Sequence, residues 1–162
     1  MSTALKSKPN PSSTHSTEEA EIRRLIADWR RALEARDLDG LVANYAPDAV
    51  LFDVKPPYKL EGPAAIRKVW ADCLPYFPKS FKSEHRDLKI DVNDGLAFVH
   101  GLHHVTPIDE PDHPAGQGWI RVTACYRKVA GRWLVAHEHV SMPFDCTTGK
   151  LAPITNPPIT NP

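Results

Sequence analysis

The chain has 162 residues, 41% of them hydrophobic and 25% charged, with 20 Lys plus Arg against 20 Asp plus Glu and a net charge of zero. That is the size and composition of one globular domain, and balanced charge leaves no electrostatic footprint for nucleic acid or an anionic membrane. No apolar run approaches the ~20 residues of a bilayer span, and the polar start of the chain lacks the apolar core of a secretory leader. Cys73, Cys125 and Cys146 form neither a C-x-x-C pair nor an even framework, so they read as reduced thiols of a cytoplasmic protein.

The chain divides into a Ser/Thr/Lys/Pro-rich head over 1–16, expected to be disordered, a folding unit over 17–150, and a proline-rich tail over 151–162. The tail holds one direct repeat, Pro-Ile-Thr-Asn-Pro at 153–157 and again at 158–162, read as an extended segment lying along the domain or a neighbouring subunit. Residues 17–36 predict a helix: Thr17 caps it, Glu18 and Glu19 suit its positive end, and Ile22, Leu25, Ile26, Trp29 and Leu33 share one face. Asp37 starts a short second helix with Leu38, Leu41, Val42 and Tyr45 on its apolar side. Ala49 to Val54 reads as a strand and Lys55-Pro-Pro-Tyr58 as a loop. A third helix opens at Gly62-Pro63, presents Ile66, Val69, Trp70, Cys73 and Leu74, and ends at Pro75.

From there the apolar period changes to two. Strands are predicted over 81–92, 96–107, 117–129 and 132–142, with turns at Asn93-Asp94-Gly95 and Ala130-Gly131 and a longer loop over 108–116. The expected architecture is an α+β roll: three helices from the N-terminal half packed on a strongly bent antiparallel sheet. Such a sheet encloses a cone-shaped pocket suited to a small molecule.

Three stretches carry a family likeness: Trp29-Arg-Arg-Ala-Leu-Glu-Ala-Arg-Asp-Leu-Asp-Gly-Leu; Tyr45-Ala-Pro-Asp-Ala-Val-Leu-Phe-Asp53 followed by Glu61-Gly-Pro-Ala-Ala-Ile; and Gly131-Arg-Trp-Leu-Val-Ala-His-Glu-His-Val-Ser141. Together they resemble the nuclear-transport-factor-two-like superfamily, which includes ketosteroid isomerase, the SnoaL-like polyketide cyclases and the association domain of calcium/calmodulin-dependent kinase. The resemblance implies a homodimer formed through the outer face of the sheet. It also implies that Asp53 stands where the isomerase branch keeps its general base. That branch's oxyanion-binding tyrosine and aspartic acid fall here at Trp29 and near Thr123.

The candidate residues follow from chemistry. A carboxylate in an apolar pocket is destabilised in its charged form and becomes a useful base, which is the case for Asp53 after the apolar Ala-Val-Leu-Phe run; the alternative is a strand-end cap for the next loop. Glu138 interrupts the otherwise apolar alternation Leu134, Ala136, Val140, Met142, an expensive position unless it is functional or paired with a buried arginine. The resemblance turns that face inward, making Val140 a ligand contact and placing Glu138 beside Asp53. For Arg121 two arguments conflict: apolarity points Ile120, Val122, Ala124 and Tyr126 inward, whereas the resemblance points Trp119, Arg121 and Thr123 inward, where Arg121 would hold an anionic group or Glu138. His100 and His104 share a strand face and are candidate pocket groups, His104 as an acid. His137 and His139 have metal-ligand spacing, but no third ligand stands at a fixed distance, so the site is read as free of metal and cofactor, with His139 at an intersubunit contact. Trp29, Tyr58 and Trp119 are candidates to stack on a flat ligand.

Two readings of function result. One is a cofactor-free acid–base enzyme, of isomerase, cyclase or dehydratase type, acting on a small apolar or cyclic molecule. The other is a non-catalytic module of the same fold that binds a small ligand or dimerises.

Overall fold

The structure, a computed structural model, describes residues 11–155; the first ten residues of the head and the second copy of the tail repeat lie outside the described residues. Helix α1 (Pro11–Glu34) starts inside the stretch read as head, so Thr17 lies within the helix and does not cap it. Arg36, at φ 57°, ends this run, and the Asp37 side chain accepts from the backbone N–H groups of Asp39 and Gly40 to cap α2 (Leu38–Val42). Strand β1 (Tyr45–Phe52) begins earlier than the apolar pattern implied and takes Tyr45 out of the second helix. A short β2 (Lys59–Glu61) folds back on β1 across the Pro-Pro loop, and α3 (Gly62–Cys73) follows with a proline in its first turn.

The remaining strands are β3 (Phe81–Asn93), β4 (Leu96–Pro107), β5 (Ile120–Val129) and β6 (Arg132–Ser141), with a small hairpin of β7 (Phe144–Asp145) and β8 (Lys150–Leu151). The main sheet runs β2-β1-β6-β5-β4-β3. The α+β roll is as expected, with one difference: the sheet is mixed, because β1 lies parallel to β6. The helices cover the concave face, where Ile22, Leu25, Ile26, Leu51, Ile66, Val99, Tyr126, Trp133 and Val135 form the main core.

Two interruptions of the alternation decide what that face presents. In β3 the register shifts between Arg86 and Lys89, with Asp87 at φ 54°. Between β5 and β6, Cys125 pairs with His137 while Tyr126 pairs with Val135, so Ala136 is an extra residue. Strict alternation groups Leu134 and Ala136 with Glu138; the bulge instead brings Val135 to the same side as Glu138 and Val140, and all three line the concavity.

Candidate functional site

Between the helices and the concave face lies a cavity of about 240 Å³, near the small end of the range for small-molecule sites. Its walls are mostly apolar: Leu25, Ile26, Val69 and Trp70 from the helices, and Leu51, Val99, Val122 and Val140 from the sheet. Of the residues picked out by sequence, Asp53, Glu138, Trp29 and Val140 line it. The others do not. Tyr58 is 74% exposed on the loop after β1. His100 and His104 sit on the outer face, since β4 turns Ala97, Val99, His103 and Val105 inward and its alternation is unbroken. Arg121 is exposed and Thr123 shares its outward face, because Ile120, Val122, Ala124 and Tyr126 face the cavity. Apolarity, not the kinase-domain likeness, sets the orientation of β5. Trp119 is buried on the outside, stacked on His104 with ring centroids 4.8 Å apart and under the Arg86 guanidinium at 4.4 Å from the ring centroid.

One wall of the cavity is acidic and phenolic. The Glu138 carboxyl accepts a hydrogen bond from Tyr45 Oη, so its partner is a phenol and not an arginine. Burial raises the Glu138 pKa, an effect opposed by the Tyr45 hydrogen bond and reinforced by the charge of Asp53. Burial and the nearby Glu138 charge push Tyr45 and Tyr126 upward too, so both phenols keep their protons at neutral pH. Asp53 lines the cavity, and its Oδ1 accepts from the Val54 N–H at 2.7 Å at the start of the loop. That loop adds Lys55, whose pKa is raised by hydrogen bonding to Cys73.

A second group of polar residues was not anticipated. His85 of β3 and His103 of β4 pair across the sheet with ring centroids 4.8 Å apart, and Trp29 packs on both at 6.0 and 5.5 Å. All three line the cavity. The sequence did contain a signal for His103: it interrupts the apolar alternation of β4 as Glu138 does that of β6. His103 Nε2 is hydrogen-bonded with Ser83 Oγ at 2.9 Å. Ser83 in turn is fixed by α1, giving its N–H to Glu34 at 2.8 Å and accepting at its carbonyl from Arg30 Nε at 2.8 Å. Burial, with a smaller contribution from the Arg30 charge, lowers the His85 pKa to about 4. Burial and the neighbouring His85 lower His103 to about 3. Both imidazoles are therefore neutral at physiological pH. No group of three or more His, Cys, Asp or Glu among the described residues is placed to hold a metal ion.

A family model for the SnoaL-like domain matches residues 22–145. An NTF2-like protein of unknown function from Pseudomonas putida shares 34% identity and superposes with a TM-score of 0.79, over 88% of this chain and 98% of that one. A proposed dehydratase of the NTF2-like family from Streptomyces avermitilis aligns at 14% identity and TM-score 0.64, covering 78% and 96% of the two chains. A proposed scytalone dehydratase from Novosphingobium aromaticivorans aligns at 17% identity and TM-score 0.61, covering 80% and 86%. No curated protein gives a match.

Proposed function

Because the chain belongs to the SnoaL-like family of NTF2-like folds, we propose that its cavity is a metal-independent acid–base site acting on a small apolar or cyclic molecule by isomerisation, cyclisation or dehydration. The observation that carries this reading is Glu138: a carboxyl group enclosed in an apolar cavity, with a raised pKa, a phenol on one oxygen and a second carboxyl, Asp53, on the same wall. Two neighbouring carboxyl groups in different surroundings separate into a proton donor and a proton acceptor. Asp53, beside the loop, takes the substrate proton; Glu138, held by the Tyr45 hydroxyl, and the Tyr126 hydroxyl steady the oxygen on which charge develops. The dehydratase neighbours share only the fold, and they support the reading to that extent.

The test is proton–deuterium exchange. The protein is incubated in D2O with a panel of small cyclic ketones, and loss of α-proton signal is followed by NMR. Exchange above buffer that falls by about 10²–10⁴ in Asp53→Asn or Glu138→Gln is the expected result, the usual contribution of a positioned acid or base. Ketones that bind without exchange would favour the ligand-binding module.

We also propose self-association through the outer face of the sheet, where Phe52 is 40% and Phe98 45% exposed and Phe52 packs edge-on against His137 and His139 at 5.0 and 5.7 Å. Phe98→Glu places a charge on this face without touching the cavity. It should convert a dimer to a monomer in sedimentation, and a chain that sediments as a monomer before substitution would refute the idea.

A further inference from the structure

Trp29 Nε1 and His85 Nδ1 are buried without a hydrogen-bond partner. Such atoms are uncommon in folded proteins, because an unmet buried donor or acceptor is costly. Both residues line the cavity and their rings are 6.0 Å apart. The third buried atom of this kind among the described residues, Trp133 Nε1, belongs to the core and not to the cavity. His103 has its Nε2 engaged by Ser83, and Ser83 is held by Arg30 and Glu34. Of this group, then, the indole N–H and His85 Nδ1 are left without a partner.

The location is distinct from the carboxylate wall. Glu138 lies on β6 and His103 on β4, with β5 between them, a separation of about 10 Å at the usual strand spacing. His85 is one strand further. The indole N–H can only donate, so the group facing it must accept. An imidazole nitrogen accepts or donates according to tautomer, which suits a hydroxyl or a carbonyl equally. A carboxylate suits the site less well than an uncharged oxygen: it would surrender its hydration to two neutral imidazoles and an indole in an otherwise apolar cavity.

We propose that Trp29 and His85 form a second polar pole of the cavity that holds an uncharged oxygen of the ligand, carbonyl or hydroxyl, at the end remote from Glu138. The substrate class is thereby narrowed to neutral, largely apolar molecules with an oxygen function at that end. This rests on the reading of the cavity as a small-molecule site, but not on catalysis.

Four probes of one skeleton test it on the full-length protein: tetralin, 2-tetralone, 2-tetralol and tetralin-2-carboxylate, titrated calorimetrically and by 1H–15N spectra of the tryptophan indoles. The ketone or the alcohol should bind about tenfold more tightly than tetralin, the scale of one net hydrogen bond, and should shift the Trp29 indole resonance downfield, whereas tetralin should not. Whichever of the two binds better reports the His85 tautomer, and either supports the pole. The advantage should vanish in Trp29→Phe, with His85→Leu as a second variant in case the first fails to fold. Equal binding of ketone, alcohol and hydrocarbon, an unmoved Trp29 resonance, or tighter binding of the carboxylate would overturn the proposal. Failure of deuterium exchange with this contrast intact would remove catalysis and leave the pole standing.

Discussion

At the scale of single residues, burial against the cavity disfavours the charged forms of Glu138, His85 and His103. The effect has opposite consequences for acid and base. The Glu138 pKa is raised, so its folded form holds a proton that the unfolded chain has released, and stability declines as pH rises through that window. His85 and His103 are lowered from 6.5 to about 4 and about 3. Between those values and 6.5 the unfolded chain binds protons that the folded chain refuses, so their stabilisation is full above pH 6.5 and is lost as pH falls. For His85 alone the loss between pH 7 and pH 4.5 is about 2 kcal/mol by this linkage. His85→Leu removes a ring with an unmet nitrogen and should flatten the acid side of the stability curve by about that amount. Urea unfolding of both proteins at the two pH values measures it, and an unchanged pH dependence would mean that His85 is protonated within the fold.

At the scale of elements, the alternation of β4 and β5 is unbroken: Ala97, Val99 and Val105 mark one inner face, and Ile120, Val122, Ala124 and Tyr126 the other, so the expectation that His100, His104, Trp119 and Arg121 line the pocket runs against the apolar pattern of their own strands. The α+β roll and the inward turn of Asp53, Glu138 and Val140 followed from the same patterns together with the family likeness. Three things did not. The Ala136 bulge has no sequence signal in an apolar run, so strict alternation puts Leu134 and Ala136, and not Val135, on the side of Glu138. Tyr45 reads as an apolar helix position until β6 lies beside it and offers Glu138 to its hydroxyl. The His85–His103 pair depends on strand register, which the sequence does not print. The β3 bulge sits against Gly101 of β4, where an added Cβ would lie 2.9 Å from the Arg86 carbonyl oxygen and 3.0 Å from the Leu88 side chain. The nearest obstacle is backbone, so it cannot rotate away. Gly101→Ala should cost about 1–3 kcal/mol, the usual effect of overpacking, and should disturb the neighbouring His85. A change in urea midpoint below a few tenths of a molar would show that the bulge is pliable.

At the scale of the whole molecule, the two faces of the sheet carry different tasks, and the tail belongs to the outer one. Residues 153 and 154 reach the start of β5, where the Trp119 N–H donates to the Ile154 carbonyl at 2.9 Å and Ile154 forms an antiparallel bridge with Trp119. Gly118 admits this contact: a Cβ there would come within 2.7 Å of the Pro153 Cβ. Trp119 is only 5% exposed, between His104, Arg86 and this segment. Ending the chain at Ala152 therefore strips one backbone hydrogen bond and part of the cover of an indole, a loss of about 1–2 kcal/mol. Tryptophan emission should shift to the red, and Trp119→Phe in the full chain identifies the emitter. Gly118→Ala should produce a weaker form of the same change by displacing Pro153. Neither alteration reaches the cavity, so 2-tetralone affinity should be unaltered in both. A truncated chain with unchanged emission and stability would show that His104 and Arg86 cover Trp119 unaided; a loss of tetralone affinity would instead show that the outer face and the cavity are coupled through β5.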